Sequence, residues 1–451
     1  MINKFQKTTI ILLHFILIIG CQSKADLTSK VDGLLSFNFP ENKPGVSILI
    51  AKNKEIIYKN SSGIANLKTP LNVNSVFKIG SITKQFTAVS ILMLEEKGKL
   101  NLRDDIKKYI PDYPTNGKNI TIHNLLNHTS GIKDYSSMDN FNEFSKKELT
   151  PKELIDIFKN EPSDFEPGTQ FKYNNSGYIL LGYIIEKITK ASYADFIDKN
   201  IFKPLNMTLS YYKNRNEIIA EEVNGYSIEN KKIIDAEYLS PDFIYAAGAL
   251  MSTTEDLLKW QNALTTDKLI KKTTFEKAVN GSTLSDGTKI NYGYGLISGD
   301  IKGSKTVEHS GQIFGFNSTA IYLPKEDTYV VVLGNSDNPD LNVGGFARKI
   351  ATIAIGKDAN TKNTITLQED ELKKWVGEYK FDDDVIRTIT VSNGKIFSQR
   401  EGAYKNEILA TSINNFLFPS GSTYTFDEKD GEIKVLFTSS SGNTVFGKKM
   451  D

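Results

Sequence analysis

Cysteine and histidine are both scarce in this sequence of 451 residues. It contains one cysteine, Cys21, and four histidines: His14, His123, His128 and His309. A single cysteine excludes an intramolecular disulfide framework and a zinc site built from several thiolates. The histidines are too few and too dispersed to suggest a cluster of metal ligands. The sequence therefore predicts neither a metal site nor a cofactor.

An excess of charge of one sign is also missing. The 55 lysines and arginines are balanced by 54 aspartates and glutamates, which gives a formal net charge of +1. This balance argues against a nucleic-acid partner and against an acidic tail protein. Hydrophobic residues make up 39% of the chain, and together with 32 glycines this is the composition of a globular protein. At this length we expect two domains.

The N-terminus combines a basic start with a short apolar run. Lys4 and Lys7 precede the run from Ile10 to Ile19. Ten residues are too few to cross about 30 Å of hydrocarbon as a helix. Their number fits the apolar core of a secretory signal, so residues 1–20 are predicted to be a signal peptide.

Cys21 directly follows this segment, in the string Ile18-Ile19-Gly20-Cys21. Aliphatic and small residues before a cysteine resemble the bacterial lipobox, in which the cysteine becomes the lipidated first residue. Acylated Cys21 would hold the protein to a lipid membrane, with residues 21–29 as a tether and the body outside the cytoplasm, on the periplasmic side or at the cell surface. An ordinary signal peptide followed by an incidental cysteine is the alternative.

Hydrophobic periodicity predicts an α+β body that ends at about residue 355. Two β-branched runs around a polar turn at Asn53 predict a hairpin over residues 45–58. Helical spacing is found over residues 81–97, 121–128, 177–189, 255–264 and 344–355. Before the last helix we expect four strands, with the cores YGYGL, KTVEHSG, NSTAIYLP and TYVVVLGN. This order is typical of one antiparallel sheet with helices packed against it.

The C-terminal part has a different pattern. Residues 356–366 are polar and lack periodicity, as expected of a linker. Residues 367–451 contain short alternating runs with turn signals at Asn393-Gly394 and Asp430-Gly431. They are predicted to form a small β-rich domain with Trp375 in its core, although a carbohydrate-stacking role for Trp375 stays open.

Ser81 and Lys84 are the first candidates for chemistry. They stand three residues apart at the start of a predicted helix, so their side chains share one face. A serine hydroxyl needs a base to become a nucleophile, and a lysine can be that base only when neutral. Burial and the positive end of the helix dipole both disfavour the ammonium form. The spacing alone is also what a capped surface helix contains.

Two further strings add polar groups. Tyr173 and Asn175 precede an apolar helix, and a tyrosine hydroxyl near a lysine ammonium is expected to have a lowered pKa and to shuttle a proton. The string Val307-Glu308-His309-Ser310-Gly311 lies within a predicted strand. A strand edge beside the nucleophile can bind substrate backbone and supply an oxyanion amide, and a glycine there permits close approach.

Taken in this order, Ser-x-x-Lys, Tyr-x-Asn and His-Ser-Gly resemble the motifs of the penicillin-binding serine hydrolases. The resemblance is greatest to the group of class C β-lactamases, D-Ala-D-Ala carboxypeptidases, D-aminopeptidases and related esterases. Supporting strings are LLNHTSG at 125–131, FKPLNM at 202–207 and YGYG at 292–295. The resemblance covers about residues 30–355 and implies a β-lactamase-like antiparallel sheet with flanking helices and an all-helical subdomain.

The resemblance also implies roles for the candidate residues. Ser81 would be the acylated nucleophile, Lys84 and Tyr173 would share the acid and base work, and Asn175 would position Lys84 and the substrate. The strand segment His309-Ser310-Gly311-Gln312 would bind substrate, with the amides of Ser81 and Gln312 as the oxyanion hole.

His309 departs from the class C pattern, which has a lysine at this place. A histidine is mostly neutral at pH 7, so a cation for the carboxylate of a β-lactam is missing here. Neither Arg103 nor Arg348 can be assigned to that task from the sequence. His123 and His128 are predicted to be structural, although a triad of His128 with Ser130 is the competing interpretation.

The predicted function is that of an extracytoplasmic serine hydrolase that acts on amide or ester bonds through an acyl-enzyme at Ser81. A small peptide containing D-amino acids is the leading substrate class, cleaved as by a D,D-carboxypeptidase or a D-aminopeptidase. A β-lactamase and a broad esterase are the enzymatic alternatives. A penicillin-binding-like receptor or interaction module is the alternative without turnover.

Overall fold

The computed structural model describes residues 25–212, 218–230, 232–358, 364–382, 385–400, 405–418, 422–438 and 444–450. The predicted signal peptide and Cys21 lie outside these residues. The chain divides into two compact units, one formed by residues 39–355 and the other by the segments on either side of it. In the described part of the chain, no helix is long and apolar enough to cross a membrane.

One antiparallel sheet organises residues 39–355. The strands of this unit are β1 Val46–Lys52, β2 Glu55–Ser62, β3 Ile64–Asn66, β4 Thr69–Pro70, β5 Phe77–Lys78, β6 Tyr211–Tyr212, β7 Tyr226–Glu229, β8 Lys232–Asp235, β9 Leu250–Ser252, β10 Ile297–Ile301, β11 Ser304–Ile313, β12 Phe316–Leu323 and β13 Thr328–Gly334. Six of them form the sheet in the order β10-β11-β12-β13-β1-β2. The central strand β13 is buried along its whole length, as expected of a strand covered on both faces.

Helices surround this sheet. Helix α1, residues 25–38, belongs to the other compact unit. The helices within residues 39–355 are α2 Thr83–Glu96, α3 Ile122–Leu126, α4 Phe141–Phe144, α5 Pro151–Phe158, α6 Asn175–Thr189, α7 Tyr193–Ile197, α8 Lys203–Leu205, α9 Pro241–Gly248, α10 Thr254–Leu264, α11 Lys272–Val279 and α12 Val343–Ala354. Single helical turns lie at Gly80–Ile82, Ile106–Lys108, Tyr135–Ser137, Asp198–Phe202 and Pro339–Leu341.

Helix α2 lies at the centre of the unit. Every residue from Thr83 to Leu94 is buried, and α6 and α9 both pack against it. A helix that is covered on all sides cannot shift or rotate without opening the core. Any group at its N-terminus is therefore held rigidly.

Several predicted elements are confirmed. The hairpin of β1 and β2 turns at Asn53 and Lys54, which both have positive φ, as a tight two-residue hairpin turn requires. The strand predicted over residues 292–296 was wrong, since β10 begins only at Ile297. The reason is Gly295, whose φ is +68° and where a Cβ would lie 2.6 Å from the Lys84 carbonyl oxygen, so the segment turns tightly against α2.

The C-terminal unit contains a closed barrel of eight strands. Its elements are α13 Glu369–Lys373, β14 Gly377–Phe381, β15 Ile386–Ser392, β16 Lys395–Arg400, β17 Lys405–Ala410, β18 Asn415–Leu417, β19 Thr423–Lys429, β20 Glu432–Thr438 and β21 Thr444–Lys449. Turns at Asn393-Gly394 and Asp430-Gly431 connect hairpins, as predicted. Trp375 is buried and stacks on Phe426 at 4.9 Å between ring centroids, so it belongs to the core. An α+β unit followed by a small all-β domain is the predicted fold class.

Candidate active site

Ser81 lies in the helical turn Gly80–Ile82, directly before α2. Gly80 has φ +51°, a backbone conformation that favours glycine. A Cβ at Gly80 would lie 3.0 Å from the Gln312 nitrogen, and one at Gly311 would lie 2.8 Å from the Ser81 nitrogen. The two glycines therefore bring the backbone of Ser81 and that of Gln312 together, which is what an oxyanion hole made of these two amides needs.

Lys84 is fully buried one helical turn from Ser81. Its Nζ lies 3.0 Å from Ser81 Oγ, 2.8 Å from Asn175 Oδ1 and 2.9 Å from the Ala247 carbonyl oxygen. Burial lowers the pKa of Lys84 from 10.5 to about 7, while the negative charge of Asp134 acts in the opposite direction. A large fraction of the amine is therefore neutral near pH 7, as a base for Ser81 requires.

These three contacts also fix the direction of the lone pair on Lys84. The Asn175 amide oxygen and the Ala247 carbonyl oxygen only accept hydrogen bonds, so each takes one N–H of Lys84. A neutral amine has two N–H groups, which leaves its lone pair directed at Ser81. The neutral form can thus take the Ser81 proton, whereas the ammonium form donates a hydrogen bond to the same oxygen.

Asn175 is the first residue of α6, and Asn174 caps this helix by accepting a hydrogen bond from the Gly177 N–H. The backbone nitrogen of Asn175 lies 3.2 Å from Asp134 Oδ1, and its Nδ2 lies 2.9 Å from Ser136 Oγ. Asp134 and Ser136 could not be predicted from the sequence, because about 40 residues separate them from Asn175 and no local pattern marks either one.

Tyr173 covers Lys84, with 4.9 Å between Nζ and the centroid of the phenol ring. Burial raises the pKa of Tyr173 above its normal value of 10.0, although a hydrogen bond with Ser81 lowers it. The prediction of a lowered tyrosine pKa was therefore wrong, because removal of the hydroxyl from water outweighs the nearby amine. Tyr173 stays a neutral phenol, which can relay a proton but does not act as a tyrosinate base.

Strand β11 presents its backbone to the cleft beyond Glu308. Strand β10 pairs with it only as far as Glu308, so in the described structure residues 309–313 have no strand partner on that side. Ser318 of β12 holds this strand to the nucleophile turn, since its Oγ lies 2.8 Å from the Ile79 carbonyl oxygen and 3.3 Å from that of Gly311. A substrate with an extended backbone can therefore pair with β11 beside Ser81.

His309 lies next to this edge and is 3% exposed. Its Nδ1 lies 2.6 Å from the Ser310 carbonyl oxygen, which can only accept, so Nδ1 carries the proton and Nε2 accepts from the Tyr292 hydroxyl at 2.9 Å. Burial, and secondarily the charge of Lys84, lower the pKa of His309 from 6.5 to about 4. His309 is therefore neutral at pH 7, and Tyr292, which the sequence did not single out as its partner, orients it.

The other two described histidines have structural contacts. His128 Nδ1 accepts a hydrogen bond from the Asn174 N–H at 3.1 Å, and its ring lies 4.4 Å from that of Tyr173. Burial lowers the pKa of His128 well below 6.5. His123 Nδ1 lies 2.8 Å from the Tyr294 hydroxyl. His128 thus supports the segment that carries Tyr173, as the structural interpretation predicts.

A cleft of about 520 Å³ opens in front of Ser81. Besides Ser81, Ser136, Tyr173, Asn175 and the polar residues of β11, its lining is mainly apolar: Tyr135, Phe141, Leu239, Ile244, Ile297, Ile313 and Phe314. None of the described residues that line it carries a full charge at pH 7. This apolar wall could not be predicted from the sequence because its members come from separate segments.

Arg348, considered above as a cation for the site, is engaged elsewhere. Its Nη1 lies 2.9 and 2.8 Å from the two carboxylate oxygens of Glu308. Glu308 and His309 are consecutive in a strand, so their side chains point to opposite faces of the sheet. Arg348 therefore lies on the face away from His309.

Comparison with known proteins places this arrangement in a family. The family model described as Beta-lactamase matches residues 38–352. The chain belongs to the β-lactamase family. It is a serine hydrolase of the β-lactamase and penicillin-binding-protein type, and the family resemblance read from the motifs is confirmed.

Several relatives of this β-lactamase-family hydrolase have been characterised or solved. Penicillin-binding protein 4* of Bacillus subtilis (strain 168) is 29% identical over 422 residues, 88% of this chain and 93% of that protein. The octameric penicillin-binding protein homologue from Pyrococcus abyssi is similar with a TM-score of 0.65 at 27% identity, covering 90% of this chain and 96% of that one. The D-amino acid amidase from Ochrobactrum anthropi SV3, solved with L-phenylalanine amide, has a TM-score of 0.66 at 25% identity, covering 74% and 100%.

Proposed function

We propose that this hydrolase cleaves amide bonds of D-amino-acid amides and peptides through an acyl-enzyme at Ser81. The observation that carries the proposal is the contact of 3.0 Å between Lys84 Nζ and Ser81 Oγ, made by an amine whose pKa lies near 7. An amine at that distance, about half neutral at pH 7, can take the hydroxyl proton as the bond to the substrate forms.

The reaction proceeds in two balanced steps. Ser81 Oγ attacks the substrate carbonyl, its proton passes to Lys84, and the amides of Ser81 and Gln312 bind the oxyanion. The C–N bond then breaks, and the proton returns through Lys84 and Tyr173 to the departing amine. Water then attacks the ester at Ser81 and gives a proton to Lys84 and Tyr173. The acid product leaves as this proton returns to Ser81 Oγ, which restores the hydroxyl.

The uncharged cleft supports substrates without a carboxylate beside the scissile bond. His309 is neutral, Arg348 is bound to Glu308, and Lys84 is buried and in contact with three oxygen atoms of the protein, so none of these groups offers a free cation to a carboxylate. The apolar wall favours a hydrophobic side chain on the substrate. A D-amino acid amidase with the same fold is in keeping with this choice. The arrangement is thus less suited to a D,D-carboxypeptidase or a β-lactamase.

A matched substrate pair tests the proposal. Two D-peptides ending in D-Phe-D-Ala are offered to the mature enzyme, one with a free C-terminal carboxylate and one with a carboxamide. We expect kcat/KM to be higher by about tenfold or more for the carboxamide peptide than for the carboxylate peptide, because the carboxylate would lose its water without gaining a partner. Equal rates, or a preference for the carboxylate, would contradict the uncharged-substrate assignment.

The Ser81→Ala variant provides the matched control for the mechanism. Its activity on both peptides should fall by at least about 10³-fold. Activity equal to that of the unchanged enzyme would disprove the acyl-enzyme mechanism. Turnover of short acyl esters alone would point to the esterase, and turnover of a chromogenic cephalosporin to the β-lactamase. Stoichiometric penicillin labelling without turnover would support the receptor alternative.

We also propose that the protein is anchored outside the cytoplasm through acylated Cys21. The support is the sequence of residues 1–21 alone. The protein and a Cys21→Ser variant are expressed in a bacterium and their membrane fractions compared. The original chain should be in the membrane fraction and the variant should be largely released. Equal membrane association of the two would contradict the lipid anchor.

A further inference from the structure

A buried carboxylate lies beside Asn175, and its negative charge acts on the catalytic amine. Asp134 is 8% exposed and belongs to the segment that leads into the turn Tyr135–Ser137. The motifs do not include it, and the reaction described above does not use it. Its position beside Asn175 nevertheless gives it direct contact with a group that binds Lys84.

The Asp134 carboxylate accepts four hydrogen bonds, divided between two residues. Ser136 gives its backbone N–H at 3.2 Å and its hydroxyl at 2.9 Å. Asn175 gives its backbone N–H at 3.2 Å and its side-chain amide at 3.4 Å. The side chain and the backbone of Asn175 are therefore both bound to one anion at the N-terminus of α6, where a negative charge is also stabilised by the helix.

This arrangement determines which end of the Asn175 amide faces the reaction. With Nδ2 bound to Asp134 and Ser136, the oxygen Oδ1 is the end that meets Lys84 at 2.8 Å. The reversed amide would direct an NH₂ group at the amine, where it could not accept a hydrogen bond. Lys84 would then lose one of the two acceptors that leave its lone pair directed at Ser81.

Further hydrogen bonds connect the segment around Asp134 to the start of α6. Ser176 Oγ donates to the Lys133 carbonyl oxygen at 2.7 Å and accepts from the Tyr135 N–H at 2.9 Å. Asn174 Nδ2 lies 2.5 Å from the Ile132 carbonyl oxygen. Asp134 is therefore held in place from both sides and cannot easily turn away from Asn175.

We propose that Asp134 is a positioning residue for the reaction, which fixes the Asn175 amide with its oxygen toward Lys84 and supplies a negative charge that acts on the amine. The inference rests on the proposed function at Ser81. Two opposing effects act on the pKa of Lys84: burial favours the neutral amine, and the charge of Asp134 favours the ammonium. The balance between them determines the pH at which the base becomes available.

The other titratable groups that face Lys84 are neutral near pH 7. The rings of Tyr173 and Tyr178 lie 4.9 and 5.5 Å from Nζ, and burial raises the pKa of both phenols. Burial lowers the pKa of His128 and of His309, and the charge of Lys84 contributes to both shifts. Asp134 is thus the group through which a change of charge can be introduced without touching the cleft.

The test is the pH dependence of kcat/KM for an activated D-amino-acid amide, with the Asp134→Asn variant. Because the neutral amine is the active form, activity rises with pH through the pKa of Lys84. Removal of the carboxylate should lower that pKa, so the acid limb should move down by about one pH unit. The value of kcat at the optimum should fall about 10- to 100-fold with little change in KM, because Asn175 is misaligned.

Two variants separate this role from a merely structural one. Asp156→Asn makes the same exchange at an ion-paired surface aspartate on α5, and should leave both kcat and the acid limb unchanged. Asp134→Ser removes the charge with a smaller polar side chain and should also move the limb to lower pH, which tests the charge if Asp134→Asn does not fold. Thermal unfolding reports whether each variant is folded.

An acid limb that stays in place in Asp134→Asn and in Asp134→Ser would overturn the proposal, even if both variants were less active. Full activity of Asp134→Asn would overturn it as well. Failure of the proposed function is recognised separately, since in that case the Ser81→Ala control retains activity whatever happens at Asp134.

Discussion

On one side of the cleft, Ser81, Lys84 and Asn175 form a network whose central amine changes charge near pH 7. On the other side, residues 309–312 offer backbone groups beside an imidazole that burial keeps neutral. Lys84 and His309 are both buried, but only Lys84 moves a proton in the reaction. The comparison teaches that burial can either activate or silence a basic side chain, depending on how far its normal pKa lies from 7.

Substitutions on the side formed by Ser81, Lys84 and Asn175 should lower activity more than substitutions on the side formed by residues 309–312. Replacement of Lys84 by Ala removes the base, and kcat/KM should fall by about 10³- to 10⁴-fold. The measurement is single-turnover acylation with an activated D-amino-acid amide. Normal folding is checked by thermal unfolding, and a loss smaller than tenfold would mean that another group takes the proton.

On the side formed by residues 309–312, catalysis should depend on the shape of the backbone alone. A Cβ at Gly311 would lie 2.1 Å from the Ile79 carbonyl oxygen and 2.8 Å from the Ser81 nitrogen. Gly311→Ala should therefore displace the oxyanion hole and lower kcat by about 10²-fold. Gly344→Ala is the matched control, since a Cβ there meets only Thr319 Oγ1 at 3.6 Å. If both exchanges had equal effects on kcat, the close approach at Gly311 would be irrelevant to catalysis.

The smallest effect is expected from removal of the hydrogen bond that Tyr292 donates to His309. Tyr292→Phe removes the hydroxyl that donates to His309 Nε2. Loss of this bond should cost about 1 kcal/mol of unfolding free energy and only a few-fold in kcat/KM. Urea unfolding and steady-state kinetics check both values. A loss as large as that of Lys84→Ala would show that the two sides are not distinct.

The motifs Ser81-x-x-Lys84 and Tyr173-x-Asn175 could be found in the sequence because their spacing follows from a helix start and a turn. Asp134 and Ser318 could not, because each acts on a catalytic segment that is remote in sequence and brought close only by the fold. The pKa direction of Tyr173 was misjudged because the sequence reveals the neighbouring amine but not the degree of burial. Alternation predicted the C-terminal strands, but not that eight of them close into a barrel.

The most direct test of the account is the acylation rate of Ser81 as a function of pH, measured in the original enzyme and in His309→Gln. Lys84 as the base predicts that acylation rises with pH through about 7 and that His309→Gln keeps this limb in place, because His309 titrates near 4. A limb that disappears in His309→Gln, or acylation that stays constant down to pH 5, would contradict the assignment of Lys84 as the base.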